Sequence, residues 1–243
     1  MKGIILGGGM GTRMAPLTRD DNKHLLPVYN RRMIEYPIKT LVDAGIDEIV
    51  LITGGQRPGA FLELLRNGDD HGIKKLYYAY QIGNGGIADA LKLAEPFADQ
   101  EPCVVILGDN YFEDGIEDQI ALWDRAKCFQ GAGCLLKQTN TPWDFGIAEV
   151  QNGNIIGLEE KPVNAKSSLA VLGCYFFDHR VWEILPTLTP SARGELEITH
   201  VLGAYMADGK LEAYNYEGFW SDLGTFENLM KVATRVAKHA NKT

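Results

Sequence analysis

The sequence lacks the features typical of membrane, secreted or nucleic-acid-binding proteins. No apolar stretch approaches the roughly 20 residues that a membrane-spanning helix needs, and the N-terminal apolar run is too short for a signal peptide. The 24 basic residues are outnumbered by 32 acidic ones, and the net charge of −8 argues against non-specific binding to nucleic acid or to a membrane surface. We therefore expect small-molecule partners, with no nucleic acid and no membrane, and the sequence leaves homo-oligomer formation open.

Cysteine is scarce and is not arranged for chemistry. Cys103, Cys128, Cys134 and Cys174 form no C-x-x-C pair, and all but Cys128 lie in apolar, strand-like runs. These patterns predict buried thiols in a reducing compartment, and we expect a cytoplasmic protein. No Ser-His-Asp or Cys-His arrangement is evident, which fits a reaction without a covalent intermediate.

The first half of the chain alternates between strand-like and helix-like segments. Strands are predicted at 4–6, 48–53, 73–80 and 103–107, and helices at 33–44, 59–66 and 86–94. Such alternation implies right-handed βαβ crossovers. The predicted fold class is α/β, with a doubly wound, mostly parallel, Rossmann-like sheet.

The second half changes character, because strands follow one another with few helices between them. Strands are predicted at 132–137, 146–150, 154–158 and 169–177, and helices at 181–185, 195–206 and 226–240. These strands predict antiparallel additions to the sheet. With no linker or repeat in sight, we expect one domain over 1–243.

A glycine-rich loop follows the first predicted strand, with glycine at positions 7, 8, 9 and 11. Successive backbone N–H groups without Cβ atoms can close on an anion, and Arg13 and Lys23 add a planar fork and a movable charge. The loop lacks the Gly-Lys-Ser/Thr of a Walker A motif, and Thr12 replaces the third glycine of G-x-G-x-x-G. From the residues alone, a phosphate site and a tight turn remain equally open.

Other polar residues follow predicted strands, where ligands of α/β sheets bind. Gln81 opens a glycine-rich turn and could read a pyrimidine edge, although a plain turn is the alternative. Asp109 follows the buried strand and could hold a metal or form an Asx turn. Glu160 and Lys161 could be a surface charge cluster, and Asp222 could be a turn residue.

Four segments together resemble the sugar-1-phosphate nucleotidyltransferase family. They are G-G-M-G-T-R-M-A-P-L-T with K-H-L-L-P after it, L-E-E-K-P at 158–162, S-A-R-G-E-L-E-I-T at 191–199 and W-S-D-L-G-T at 220–225. The resemblance covers nearly the whole chain, and it implies a nucleotide-binding part up to about residue 110 and a sugar-phosphate-binding part from about 111 onward. It implies transfer of a nucleotidyl group from dTTP to glucose 1-phosphate, with Mg²⁺, giving dTDP-glucose and pyrophosphate.

The resemblance also implies site residues, which are carried over from the matching motif positions. The implied catalytic residues are Arg13, Lys23, Lys161 and Arg193. The implied nucleotide-binding residues are Leu6, Gly8, Gly9, Gly11, Thr12, Arg13, Lys23, Gln81, Gly86 and Asp109. The implied sugar-binding residues are Asn110, Gly146, Glu160, Lys161, Val171 and Arg193. The implied metal ligands are Asp109 and Asp222.

The sequence departs from the family pattern at Phe145, where tyrosine is usual, and at His200, where aspartate is expected. Because of these departures, the resemblance indicates the identity of the sugar less strongly than it indicates the phosphate chemistry. Two alternatives therefore stay open: an enzyme that uses UTP or another sugar 1-phosphate, and a non-catalytic regulatory subunit that binds nucleotide sugars.

Overall fold

A computed structural model of the chain describes residues 1–9, 11–127 and 129–240. Its strands are β1 (Lys2–Gly7), β2 (Pro27–Val28), β3 (Arg31–Arg32), β4 (Glu48–Gly54), β5 (Lys75–Gln81), β6 (Cys103–Leu107), β7 (Asn110–Phe112), β8 (Ala132–Gln138), β9 (Gly146–Gln151), β10 (Asn154–Glu160), β11 (Leu169–Phe177), β12 (Leu211–Asn215) and β13 (Trp220–Asp222). Its α-helices are α1 (Glu35–Asp43), α2 (Gly59–Leu65), α3 (Ile87–Lys92), α4 (Glu95–Ala98), α5 (Glu117–Lys127), α6 (Val181–Ile184), α7 (Ile198–Ala207) and α8 (Phe226–Ala240). Short 3₁₀ helices cover Thr12–Met14, Lys23–Leu25, Asp69–His71, Pro142–Asp144 and Leu185–Thr187.

The chain folds into two compact units that interleave along the sequence. Unit 1 contains Met1–Lys2, Gly85–Val105 and Glu117–Glu217, and unit 2 contains Gly3–Asn84, Ile106–Ile116 and Gly218–Thr243. The C-terminal segment therefore belongs to the same unit as the N-terminal glycine-rich loop. The functional division near residue 110 stays a prediction.

Unit 2 is built on parallel strands. β4 pairs in parallel with both β1 and β5, and the Gly108 N–H, just after β6, donates to the Leu6 carbonyl at 2.9 Å. Ile4 and Ile5 are fully buried, as expected for apolar strands covered on both faces. The carboxyl ends of these strands carry the glycine-rich loop and Asp109.

Unit 1 holds the antiparallel strands that the second half of the sequence predicts. β9 pairs with β10 and β11, β11 also pairs with β8, and β12 adds to β8 in parallel. Aromatic side chains fill the core here, with Trp123 stacked on Phe176 at 5.5 Å between ring centroids. The mixed α/β fold, mostly parallel with antiparallel additions, is confirmed.

The structure differs from the predicted elements in two details. No helix was predicted at the position of α5, because Trp123 is its only fully buried side chain among those described and the apolar stripe is too narrow to be recognised. The helix predicted at 195–206 begins instead at Ile198. Glu197 is extended, and the Leu196 N–H donates to the Gly85 carbonyl at 2.8 Å, so the preceding residues pair with another segment rather than continue a helix.

A two-stranded antiparallel pair, β7 with β13, was missed by the sequence analysis. Each strand has three residues, too few to show a periodic pattern. The register places Trp220 opposite Phe112 and Asp222 opposite Asn110. This short pair brings two segments more than 100 residues apart in sequence together at the predicted metal site.

The expectation of buried thiols is confirmed for the described cysteines. Cys103, Cys134 and Cys174 are free and buried, and burial raises the pKa of Cys134 to about 12. Cys128 lies outside the described residues. In the described part of the chain, no helix combines the length and apolar character needed to cross a bilayer.

We predict that the hydroxyl of Tyr205 stabilises unit 1. It donates to Asp178 Oδ1 at 2.7 Å, while Asp178 Oδ2 accepts the Gly131 N–H at 2.7 Å. Tyr205→Phe should lower the free energy of unfolding by about 1.5–3 kcal/mol, the range for hydrogen bonds to charged groups. Urea denaturation measures the change. Tyr78→Phe is the control, since that hydroxyl bonds the Arg66 carbonyl in an exposed setting. Equal losses in both variants would contradict the prediction.

Candidate functional site

The glycine-rich loop of unit 2 closes on Lys23. Gly9 and Gly11 adopt positive φ angles of 99° and 59°. A Cβ atom at Gly11 would lie 3.0 Å from Thr18 and 3.1 Å from the Lys23 Cβ. Gly11 therefore permits both the left-handed turn and the close approach of the loop to the lysine. Thr12 and Arg13, which follow in a 3₁₀ turn, are exposed, and the loop leaves their side chains accessible.

Lys23 and Asp109 form an ion pair at the carboxyl ends of the parallel strands. The distance between Lys23 Nζ and Asp109 Oδ2 is 2.5 Å, and both side chains are 14% exposed. Burial alone would raise the pKa of Asp109, but the charge of Lys23 and its hydrogen bond outweigh burial and hold the pKa well below its usual range. The structure thus places Lys23, which is predicted to bind the triphosphate, in direct contact with Asp109, which is predicted to bind the metal.

Asn110 is buried, with 2% of its surface exposed. Its Nδ2 donates to Asp109 Oδ1 at 3.0 Å, and its Oδ1 accepts the indole N–H of Trp220 at 2.7 Å. Both amide atoms are therefore engaged in orienting Asp109. Its sugar contact stays a prediction.

Asp222 lies beside Asp109. The Leu223 N–H donates to the Asp109 carbonyl at 2.7 Å, next to the β7–β13 pair. Burial raises the pKa of Asp222, and the negative charge of Asp109 raises it further. The two predicted metal-binding carboxylates are thus close enough to repel each other. Within residues 1–9, 11–127 and 129–240, no cluster of three or more metal-binding side chains is found.

Arg13 also reaches this cluster. A Cβ atom at Gly224 would lie 2.7 Å from Arg13 Nη2 and 2.9 Å from Asp222 Oδ1, so both groups approach the bare face of this glycine. The charge of Arg13 partly offsets the rise in the pKa of Asp222, which burial causes. Arg13, Lys23, Asp109 and Asp222 therefore converge in unit 2, while their roles in binding stay predictions.

A neutral histidine, His24, packs beside the segment that carries Asp109 of the ion pair. Burial, and then the charge of Lys23, lower the pKa of His24 to about 3. Its Nδ1 lies 2.8 Å from Asn22 Oδ1, while Asn22 Nδ2 donates to the Gly54 carbonyl at 2.9 Å. Because that oxygen can only accept, the imidazole carries its proton on Nδ1. A Cβ atom at Gly108 would lie 2.9 Å from the ring, so His24 packs directly beneath the residue that precedes Asp109.

The predicted base-recognition residues fall in both units. Gln81 ends β5 and is buried at 6% exposure, and a Cβ atom at Gly8 would lie 3.1 Å from its Oε1. Leu6 is buried in β1 of the same unit. Gly86 belongs to unit 1 and has φ of 97°, and a Cβ atom there would lie 2.6 Å from the Leu196 carbonyl oxygen. Close backbone packing therefore requires glycine at position 86 independently of any base contact.

Apart from Asn110, which lies in unit 2, the predicted sugar-binding residues belong to unit 1. Arg193 Nη1 lies 3.6 Å from Glu160 Oε1 and 3.3 Å from Glu197 Oε1, and Nη2 lies 3.4 Å from Glu195 Oε2. Burial and the neighbouring charge of Glu197 raise the pKa of Glu160. Arg193 is thus surrounded by three carboxylates. Its single positive charge does not give the cluster an excess of positive charge.

Gly146 and Val171 line the same cluster. A Cβ atom at Gly146 would lie 2.8 Å from Thr199 Cγ2, 3.2 Å from Glu160 Oε2 and 3.9 Å from the Val171 Cβ, so close packing beside the carboxylate requires glycine here. Lys161 follows with φ of 44° and donates its backbone N–H to the Phe145 carbonyl at 3.0 Å. Its exposed side chain supplies a further positive charge.

Sequence reasoning assigned no role to several residues that shape these clusters: Asn22, Trp220, Gly224 and Asn228. Each lies within or beside a recognised motif. The contacts of Asn22 with Gly54 and of Trp220 with Asn110 join distant segments, so no spacing could have indicated them. Gly224 and Asn228 bond the nearby Asp222, but no spacing rule singles out these bonds.

Comparison with known proteins gives matches over nearly the whole chain. The model of the nucleotidyl transferase family matches residues 2–239. A glucose-1-phosphate thymidylyltransferase of Neisseria meningitidis is 42% identical over 239 residues, which cover 97% of this chain and 82% of that protein. A crystal structure of a provisionally named glucose-1-phosphate thymidylyltransferase from Bacillus anthracis, in complex with sucrose, has a TM-score of 0.91 and 42% identity and covers 97% of this chain and 94% of that one. A UDP-glucose pyrophosphorylase complexed with UDP-glucose, 23% identical with a TM-score of 0.84 and 98% coverage of both chains, shares the fold.

We predict that Gly224→Ala displaces the Arg13 guanidinium and crowds the Asp222 carboxylate, because the new Cβ would lie 2.7 Å from Arg13 Nη2 and 2.9 Å from Asp222 Oδ1. Both clashes involve the ends of side chains, so the fold should persist while affinity for a nucleoside triphosphate falls about 10-fold or more, the loss of at least one charge-assisted contact worth about 1.5 kcal/mol. Isothermal titration calorimetry measures the affinity. Gly59→Ala is the control, since a Cβ atom there meets nothing within 4 Å. Unchanged affinity in Gly224→Ala would contradict the prediction.

Proposed function

This chain belongs to the nucleotidyl transferase family, and from that premise we propose that it transfers a nucleotidyl group from dTTP to glucose 1-phosphate, releasing pyrophosphate. The observation that carries the proposal is the convergence of Arg13, Lys23, Asp109 and Asp222 in unit 2. Two cations and two carboxylates at the carboxyl ends of parallel strands suit a triphosphate with its metal ion.

The residues of unit 2 would bind the nucleotide. The backbone of Gly8, Gly9, Gly11 and Thr12 would face the phosphates, with Arg13 and Lys23 as their cations. Gln81, at the end of β5, would hydrogen-bond the pyrimidine edge. Nucleotide binding would draw Lys23 toward the triphosphate and away from Asp109, since one ammonium group cannot neutralise both fully.

Asp109 and Asp222 fit a divalent cation. The two carboxylates stand close enough that the charge of one raises the pKa of the other, after burial, and a cation would relieve this repulsion. Mg²⁺ commonly takes one or two carboxylates together with phosphate oxygens, so a pair of aspartates suffices. When bound, such an ion supplies charge neutralisation for the phosphates.

The residues of unit 1 would bind the sugar phosphate. Glu160 would accept hydrogen bonds from sugar hydroxyls, with the backbone of Gly146 packed closely beside its carboxylate. Lys161 and Arg193 would face the phosphate. Because three glutamates already surround Arg193, we assign the larger share of phosphate neutralisation to Lys161.

The proposed reaction needs alignment rather than a strong base. The attacking phosphate oxygen is already anionic at neutral pH, so no residue has to remove its proton. The contributions of the chain are then to hold the reacting groups in line and to neutralise developing charge. The absence of a Ser-His-Asp or Cys-His arrangement in the sequence agrees with this division of work.

We also propose a cytoplasmic location, because the buried free thiols suit a reducing compartment. The net charge of −8 favours small-molecule substrates over nucleic acid as partners.

The decisive test is pyrophosphate release measured over a grid of nucleoside triphosphates and sugar 1-phosphates. We expect dTTP with glucose 1-phosphate to give the highest kcat/KM. A clear preference for UTP or for another sugar 1-phosphate would assign the chain a related nucleotidyltransferase activity instead. Binding of dTTP without pyrophosphate release from any pair would support a non-catalytic regulatory subunit instead.

The metal assignment gives a separate prediction. Asp109→Asn and Asp222→Asn should each lower kcat at least about 100-fold, since metal charge stabilisation is worth several kcal/mol and each 1.4 kcal/mol is about tenfold. EDTA should stop the wild type reversibly. Asp43→Asn is the matched control, because Asp43 forms a 2.5 Å ion pair with Lys39 on the surface. Near-normal turnover of a folded Asp109→Asn or Asp222→Asn protein would remove that residue from the site.

A further inference from the structure

Asp222 is held in a fixed orientation by two donors. Its Oδ1 accepts the Gly224 N–H at 3.1 Å, and its Oδ2 accepts the side-chain amide of Asn228 at 3.0 Å. The first donor belongs to the backbone of the adjoining turn. The second donor is the side chain of Asn228, which a substitution can remove without changing the backbone.

The backbone of Asn228 is itself anchored. Asn228 is the third residue of α8, and its N–H donates to Thr225 Oγ1 at 3.2 Å, as at a capped helix N-terminus. From this position the side chain reaches back to Asp222, ahead of the helix. The hydrogen bond therefore connects a rigid 15-residue helix to a carboxylate at the end of β13.

Asp109, the other carboxylate of the pair, has a comparable arrangement. Asn110 Nδ2 donates to Asp109 Oδ1 at 3.0 Å, and the Trp220 indole N–H fixes the Asn110 amide. Each carboxylate thus accepts one asparagine amide hydrogen bond and retains acceptor capacity on its other lone pairs. Outer donors of this kind orient ligands for a metal, and their loss typically costs about 10–100-fold in metal affinity.

We propose that Asn228 is a positioning residue that aims Asp222 at the divalent cation and so couples metal binding to nucleotide binding. This inference rests on the proposed function. The geometry that carries it is the Asn228–Asp222 hydrogen bond beside Asp109, Arg13 and Gly224. Without the Asn228 amide, the Asp222 carboxylate can rotate away from the cation position next to Asp109. The cation would then lack its second carboxylate ligand for part of the time.

The test is the dissociation constant of dTTP measured by calorimetry, in EDTA and in Mn²⁺, without the sugar phosphate so that no turnover occurs. The ratio of the two constants reports how much the metal contributes. In Asn228→Ala we expect this ratio to fall about 10-fold, with dTTP affinity in EDTA unchanged. Alanine is a better helix former than asparagine, so α8 should persist. Asn228→Leu keeps the approximate shape, lacks the amide and should give the same loss.

Two controls separate the possible failures. Asn67→Ala removes a comparable surface bond, from Asn67 Nδ2 to Asp69 Oδ2 at 2.6 Å, and should behave as the wild type. Asp222→Asn should lose most of the metal contribution. If it does and both Asn228 variants keep the wild-type ratio, the role of Asn228 is wrong while the metal site stands.

Two further outcomes are also decisive. If Asp222→Asn keeps the wild-type ratio, the proposed metal site fails and the inference fails with it. If the Asn228 variants weaken dTTP binding equally in EDTA and in Mn²⁺, the residue supports the fold generally and does not position a metal ligand.

Discussion

The ion pair between Lys23 and Asp109 is the interaction on which the candidate nucleotide site depends. Both side chains are 14% exposed, so each charge needs the other. Removing one partner of a largely buried pair leaves an uncompensated charge and typically costs about 3–5 kcal/mol. The pair also fixes the geometry around it, since the loop at Gly11 closes on Lys23 and the Leu223 N–H bonds the carbonyl of Asp109.

His24 shows how the surrounding structure protects that charge balance. The ring lies beneath Gly108 and next to Lys23, where a second cation would compete for Asp109. Burial lowers its pKa to about 3, so the imidazole stays neutral and donates from Nδ1 to Asn22. Asn22 in turn bonds the carbonyl of Gly54. A chain of neutral hydrogen bonds thus ties the Lys23 segment to the end of β4 without adding charge.

The sequence was informative wherever long segments or whole motifs carried the signal. The apolar strands, the 15-residue helix α8 and the mixed α/β fold were predicted because each spans enough residues to show a period or a run. The three-residue strands β7 and β13 were not, although they bring Asp109 and Asp222 together. Asn228 was missed for a different reason: it lies six residues from Asp222, and no periodic pattern or motif marks a side-chain bond from the first turn of a helix back to the preceding strand.

The charges of the two clusters are the reason that a bound cation is part of the proposed function. In unit 2 the two cations stand beside two carboxylates, and in unit 1 three glutamates surround Arg193. Neither set of side chains offers a large positive excess to a polyanion, and the whole protein carries a net charge of −8. A triphosphate and a sugar phosphate would therefore meet largely compensated side chains. Under the proposed function, much of their charge would be balanced by a divalent cation, and the orientation of the carboxylates proposed to hold it would become a determinant of substrate binding.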